Sequence, residues 1–324
     1  MLYKQLGRTG LKVSQLCFGT MSFGGDANEQ QSARMFNACL DAGINFFDCA
    51  DVYSKGAAET ILGKLMQERR DELVITSKCF LPMGSDVNAG GGNRRHILRA
   101  VEASLKRLAT DRLDVFFMHR WDPLVPLEET LRALEKLVTD GKVLYLGASN
   151  FSAWQIATGL GISQRMGWPR FDVIQPMYSL VKRQVETEIL PLAVAENLGV
   201  ITYSPVGGGL LSGKYGRNKR PDVGRIITNK EYAGRYSEDW VYETAEAFSA
   251  LAQANNVHPV SLAIAWVANN EAVTCPIIGA RNLEQLQPSL NAIDVEMSDA
   301  LYAETSALSR TPPPATDRLE EQYH

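Results

Sequence analysis

Cysteine is scarce in this chain. Its 324 residues hold five: Cys17, Cys39, Cys49, Cys79 and Cys275. The number is odd and no CxxC pair occurs, so neither a disulfide framework nor a zinc or other metal site is expected, and a reducing, cytoplasmic compartment fits. No run of about eighteen apolar residues exists, so no helix is expected to span a membrane. The N-terminal MLYKQLGRTGLKVSQL lacks the apolar core of a signal peptide. It reads instead as a short hairpin turning around Arg8-Thr9-Gly10. Charge of one sign is also missing. Lys and Arg total 33 against 37 Asp and Glu, a net charge of −4. Such a balance gives no general pull toward nucleic acid or anionic lipid.

What the chain has is a series of apolar, β-rich runs. There are eight: Leu16–Thr20, Asn45–Ala50, Leu73–Cys79, Leu113–Arg120, Val143–Asn150, Val173–Ser179, Val200–Val206 and Thr274–Ala280. Each is nearly continuous rather than alternating, as parallel strands buried on both faces require. Helical patterns lie between them. Ile97, Leu98, Val101, Leu105 and Leu108 share one helical face, as do Leu127, Leu131, Leu134 and Val138. Glu128 and Glu129 suit the first turn of the second of these helices, and Gly141 suits its C-terminal cap. Eight strands alternating with helices predict a closed (β/α)8 TIM barrel with the N-terminal hairpin beside it. An open doubly wound sheet would carry a G-x-G-x-x-G loop after its first strand. FGTMSFGG stands there instead, without that spacing. The barrel is expected to occupy residues 1–311 as a single domain, with 312–324 as a C-terminal tail. The stretch from Ser309 onward reads as an extended, loosely attached arm. Lys214–Tyr236, rich in Gly, Arg, Asn and Pro, reads as one long loop.

A barrel places its active site where the C-terminal ends of its strands meet. Those ends are polar here: Asp48, Lys78, His119, Ser149-Asn150, Gln175 and Tyr203-Ser204 close successive apolar runs. A tyrosine, Tyr53, follows Asp48 in a segment too short and polar to be core.

Several longer stretches sharpen this. DAGINFFDCADVYSKGAAE, ITSKC, FFMHRWD, GASNFS, VIQPMYSLVKRQVE, YSPVGGGLLSGKY and PIIGARNLEQL together resemble the aldo-keto reductases, most strongly the bacterial and fungal members related to potassium-channel β subunits. The resemblance runs from about Tyr3 to Ile293. It implies an eight-stranded barrel whose bottom is closed by the N-terminal hairpin. It implies NADPH bound without a Rossmann fold, a small-molecule carbonyl substrate, and Asp48, Tyr53, Lys78 and His119 as the catalytic four. The carbonyl reduction so implied needs a hydride at carbon and a proton at oxygen. A tyrosine such as Tyr53 can supply the proton, but its unperturbed pKa is about 10. A neighbouring Lys78 ammonium is expected to lower it. Asp48 would pair with Lys78 so that burial does not neutralise it. His119 would hydrogen-bond and orient the carbonyl oxygen. By the same resemblance Tyr203 stacks on the nicotinamide, while Ser149, Asn150 and Gln175 bond its carboxamide. Gly19, Thr20, Met21 and Asp48 flank it. Ser204, Pro205, Val206, Gly207, Leu210, Ser212 and Lys214 hold the pyrophosphate, with Arg225 beside them. Gly279, Arg281 and Gln285 hold the adenosine half. A guanidinium at Arg281 suits a 2′-phosphate, which favours NADPH over NADH. Where relatives carry an acid-amide pair, this chain has Pro288-Ser289. Met21, Tyr53, His119, Trp121 and the Lys214–Tyr236 segment are the expected walls of the substrate site, though Trp121 could equally brace its own loop.

Two other functional classes compete. Gly208, four residues, Gly213 and Lys214 imitate a phosphate-binding Walker A loop. Tyr215 stands where that loop needs Ser or Thr, and GRNKRPDVG cannot open a helix. The second competitor is a non-catalytic NADPH sensor or interaction subunit on the same barrel, since fold does not dictate function. The oligomeric state is not legible.

Overall fold

The computed structural model describes residues 1–318 and 320. Two short strands, β1 (Tyr3–Gln5) and β2 (Lys12–Ser14), form an antiparallel hairpin. Eight further strands are parallel: β3 (Cys17–Gly19), β4 (Phe46–Asp48), β5 (Val74–Cys79), β6 (Leu113–Met118), β7 (Val143–Ser149), β8 (Phe171–Gln175), β9 (Gly199–Thr202) and β10 (Cys275–Ile278). They close on themselves in the order β10-β3-β4-β5-β6-β7-β8-β9. Each falls within, or within two residues of, one of the eight apolar runs. The fold is therefore the (β/α)8 barrel that the alternation of elements predicts.

Helices α1 (Glu29–Asp41), α2 (Ala57–Met66), α3 (Arg94–Leu108), α4 (Leu127–Thr139), α5 (Ala153–Met166) and α6 (Ile189–Ala195) fill the early connections. Their apolar stripes face the sheet. On α3, Ile97, Val101, Leu105 and Leu108 are buried while Arg95 and Arg99 are exposed. Helix α4 carries Glu128 and Glu129 in its first turn, and Gly141 follows it at φ 72°. After β9 the chain departs from expectation. The stretch 214–236 is not one irregular loop. It contains α7 (Arg225–Thr228) and α8 (Lys230–Arg235), the second capped by the Asn229 side chain, which accepts from the N–H groups of Glu231 and Tyr232. Gly, Asn and Pro hid two helices too short to show a period. Helices α9 (Asp239–Ala254), α10 (Pro259–Ala268), α11 (Leu283–Leu290) and α12 (Asp299–Ala307) complete the ring.

The hairpin closes the N-terminal end of the barrel. Leu6 and Val13 are fully buried against an inner layer that includes Cys17, Phe46, Val74, Val115, Phe117, Val173 and Ile201. Gly7 makes the approach possible. It sits at φ 57°, and a Cβ there would lie 2.2 Å from the Gly199 nitrogen. Asn45 stitches the hairpin to the barrel, accepting from Ser14 N–H (2.8 Å) and donating to the Lys12 carbonyl (3.1 Å).

The chain beyond α12 is extended but not loose. Thr187 Oγ1 donates to the Pro313 carbonyl at 3.3 Å, Ser309 Oγ donates to the Leu180 carbonyl, and the Arg310 guanidinium lies 5.0 Å from the Trp240 ring centre. Expectations for 319 and 321–324 fall outside the described residues.

Candidate active site

Strand register brings the polar ends together. Asp48 stands level with Gly19 on one side and Thr76 on the other, two residues short of Lys78 along β5. The Lys78 ammonium donates to Asp48 Oδ2 at 2.7 Å and to the Cys49 carbonyl at 2.6 Å. It also lies 3.5 Å from the Tyr53 hydroxyl. Thr76 Oγ1 and Gln175 Nε2 both donate to the other carboxylate oxygen, at 2.7 and 2.8 Å. Tyr53 comes from the β4–α2 connection, where the following Ser54 and Lys55 adopt positive φ. The His119 ring, just past β6, meets the Tyr53 ring edge-on with centroids 6.2 Å apart. The four predicted groups therefore meet at one rim.

Protonation states follow from burial and neighbouring charge. Burial works against the Lys78 ammonium, yet Asp48 and the nearby phenol outweigh it and hold its pKa above the ordinary lysine value. Lys78 is a permanent cation at neutral pH. Burial pushes the Tyr53 phenol up to about 12, with Lys78 pulling the other way. The expectation of a phenol acidified below 10 is corrected: desolvation is the larger effect. At neutral pH Tyr53 is a protonated phenol, and Lys78 supports the phenolate only once the proton has left. Burial, with Lys78 and Arg120 adding repulsion, drives His119 down to about 3. Its imidazole is neutral, and its Nδ1 is buried without a protein partner.

Above this cluster lies a cavity of about 680 Å³. Among the predicted residues it is lined by Gly19, Met21, Asp48, Tyr53, His119, Ser149, Asn150, Gln175, Tyr203, Ser204, Pro205, Val206, Ser212, Lys214, Arg225, Gly279, Arg281 and Gln285. Five others do not line it. Lys78 and Thr20 are fully buried behind Asp48, with Thr20 Oγ1 donating to the Asp48 carbonyl (3.0 Å). Leu210 is core and Gly207 is buried beneath the loop. Trp121 packs edge-on against Phe151 and Trp154, with centroids 5.5 Å from each. It braces its own loop rather than walling the cavity.

The far half of the cavity has the character of an anion cradle. Gly208 and Gly209 have positive φ, and a Cβ on Gly208 would lie 2.8 Å from the Tyr232 ring. Lys214 is exposed at the loop end. Arg281 pairs with Asp26, Nε to Oδ2 3.0 Å, and its backbone N–H donates to Gln285 Oε1. Asn150 and Ser204 close β7 and β9 at φ 58° and 59°. Such left-handed backbone in non-glycine residues clusters at functional sites. Tyr203 donates to Asn150 Oδ1 (2.7 Å), and Asn150 Nδ2 donates to the His119 carbonyl (2.9 Å). The volume, the glycine loop and the cations fit a dinucleotide.

Sequence reasoning did not single out several groups by residue. Arg120, Tyr232 and Arg235 also line the cavity. Arg120 adjoins His119 in the sequence, and that adjacency was its one signal. Tyr232 and Arg235 lie in the 214–236 stretch expected as a wall of the substrate site, but which of its side chains face inward depends on how α8 folds back. Behind the rim lies a buried carboxyl pair, Asp51 and Glu59. Glu59 accepts from Ser77 Oγ (2.5 Å) and Arg107 Nε (2.6 Å). Neither Asp51 carboxyl oxygen has a hydrogen-bond partner, and burial together with Glu59 pushes its pKa up to about 7. Among the described residues there is no grouping of three or more His, Cys, Asp or Glu able to hold a metal ion, and no helix is long and apolar enough to cross a membrane.

A barrel whose upper rim joins a buried lysine–carboxylate pair to a phenol and an imidazole, beneath a dinucleotide-sized cleft, defines a barrel oxidoreductase. Residues 15–310 match the Aldo/keto reductase family. The chain is 39% identical over 302 residues to a probable voltage-gated potassium channel subunit beta of Arabidopsis thaliana, covering 91% of this chain and 92% of that one. It is 36% identical over 309 residues to the uncharacterized oxidoreductase YrpG of Bacillus subtilis, with 92% of each chain covered. It is 33% identical over 341 residues to a putative aryl-alcohol dehydrogenase of Schizosaccharomyces pombe, covering 92% and 93%. The protein belongs to the aldo/keto reductase family, whose members are NAD(P)-dependent oxidoreductases.

Proposed function

We propose that the protein is an NADPH-dependent reductase of aldehydes or ketones, with Tyr53 as proton donor. The observation that carries this reading is the Lys78 ammonium, held 2.7 Å from Asp48 and 3.5 Å from the Tyr53 hydroxyl. When bound, NADPH supplies the hydride. The protein's own groups do the rest. Tyr53, protonated at neutral pH, gives its proton to the carbonyl oxygen, and Lys78 stabilises the phenolate left behind. Asp48 keeps Lys78 charged in a buried place, anchored in turn by Thr76 and Gln175. His119 is a neutral hydrogen-bonding group beside the same oxygen, orienting it rather than protonating it.

Under this reading Tyr203 would hold the nicotinamide. Gln175 spends its Nε2 on Asp48, which leaves its carbonyl for the carboxamide N–H. The glycine loop with Ser212 and Lys214 takes the pyrophosphate. Arg281 takes the 2′-phosphate, which must compete with Asp26 for the guanidinium.

The relatives named as channel β subunits motivate a second reading, a nucleotide-sensing subunit without turnover. Presence of all four catalytic groups in contact supports the enzyme. One experiment separates them: mix the protein with NADPH and a panel of aldehydes and ketones, and follow NADPH absorbance. Consumption with any carbonyl supports the reductase. Bound NADPH that no carbonyl consumes supports the sensor.

A further inference from the structure

Two arginines at the mouth of the cavity have no task in the reading above. Arg120 follows His119 directly and is exposed; Arg235 ends α8 and is half-buried. Both line the cavity. Burial pushes the Tyr203 phenol up while Arg235 and Arg120 both pull against it, so both guanidinium groups act on the same hydroxyl. That hydroxyl is tied to Asn150, and Asn150 to the backbone of His119, so the two cations overlook the catalytic rim.

Neither charge is neutralised. Among the described residues the ion pairs reach Arg69, Arg70, Arg107, Arg112 and Arg281, yet none includes Arg120 or Arg235. Arg235 packs on an aromatic ring rather than on a carboxylate. Its guanidinium lies 4.7 Å from the Tyr232 ring centre and that of Arg225 lies 5.3 Å from the same ring. Glu231 lines the cavity but bridges neither arginine. A cleft lined by unpaired cations focuses a positive potential, which draws in an anion.

Resting on the reductase reading, we propose that Arg120 and Arg235 bind an anionic group of the substrate, so that the preferred carbonyl compounds carry a carboxylate. A guanidinium grips a carboxylate through two parallel N–H bonds, which would hold the substrate while Tyr53 and His119 face its carbonyl.

The test compares 4-carboxybenzaldehyde with its neutral methyl ester, using NADPH and measuring kcat/KM for each. The wild type is expected to favour the carboxylate by roughly tenfold or more. That ratio is expected to fall toward one in Arg235→Ala and in Arg120→Met, and to shrink in the wild type as salt rises. A ratio near or below one in the wild type, or a ratio that neither variant moves, overturns the proposal. So does an NADPH Kd that weakens in the variants in parallel with both substrates, because the arginines would then serve the cofactor. If the wild type reduces neither aldehyde nor any other carbonyl while binding NADPH, the reductase reading itself fails, and this inference falls with it.

Discussion

The two ends of the barrel are built from the same eight strands and could hardly differ more. At the N-terminal end, Leu6 and Val13 of the hairpin join an apolar layer with no water-facing purpose. At the C-terminal end, two to four residues further along β4, β5 and β8, Asp48, Thr76, Lys78 and Gln175 are just as thoroughly buried. Burial at the first end is favourable by about 25 cal/mol per Å² of apolar surface. At the second it is tolerated because the buried charges are paired: both Asp48 carboxylate oxygens accept hydrogen bonds, and the Lys78 ammonium alone has two short bonds. One end holds the fold together; the other spends stability to keep a cation beside a phenol.

Perturbing the upper end should show the largest effects. Tyr53→Phe removes the proton donor and is expected to lower kcat by ~100-fold to 10⁴-fold, with NADPH affinity, measured by fluorescence quenching, almost unchanged. Wild-type turnover in that variant would remove Tyr53 from its role. Lys78→Met should abolish turnover too, and it should also leave Asp48 buried without its cation. A loss of about 3–5 kcal/mol in denaturant unfolding is expected. An unchanged midpoint would mean that Asp48 had simply protonated.

The lower end should respond in stability alone. Leu6→Ala is expected to cost about 2–5 kcal/mol, while kcat of the remaining folded protein stays within about twofold. A fall in kcat comparable to that of Tyr53→Phe would show that the two ends are coupled.

Asp51 refines the contrast, as a buried carboxyl near the rim that lacks the pairing of Asp48. Its folded pKa of about 7 lies above the ordinary aspartate value near 3.8. The folded state therefore holds the proton more tightly. Stability from this group is complete below about pH 4 and is lost as pH rises through 7. Asp51→Asn should accordingly raise Tm at pH 8, and the gain should shrink as pH falls toward 4. A gain independent of pH would exclude titration of Asp51 as its source. The smallest effect is expected at the cofactor's far end. Arg281→Ala should weaken NADPH roughly tenfold and NADH little, because the wild-type guanidinium must first leave Asp26. Equal losses for both nucleotides would remove the 2′-phosphate role.

Much of the upper rim was legible in one dimension because parallel strands end in register. An apolar run that stops on Asp, Lys or His names the residue at its own C-terminal end, and β4, β5 and β6 set those ends side by side. The same logic fails where a residue's neighbours come from elsewhere in the chain. Trp121 sits one residue from the cavity-lining Arg120, yet its ring turns to Phe151 and Trp154. Helices α7 and α8 span four and six residues, fewer than two turns each, so no periodicity could announce them. Tyr53 was placed correctly beside Lys78, but its acidity was judged from the lysine alone, and burial reverses the sign.

The amino-acid sequence by itself determined the alternation of buried strands and amphipathic helices, because hydrophobic period is a local property of the chain. It also determined which polar types stand at the strand ends. Only the tertiary structure decided which of those groups touch, which are desolvated enough to change their protonation, and which cations near the mouth go unpaired. Those are properties of distance and dielectric, and both exist only once the barrel has closed.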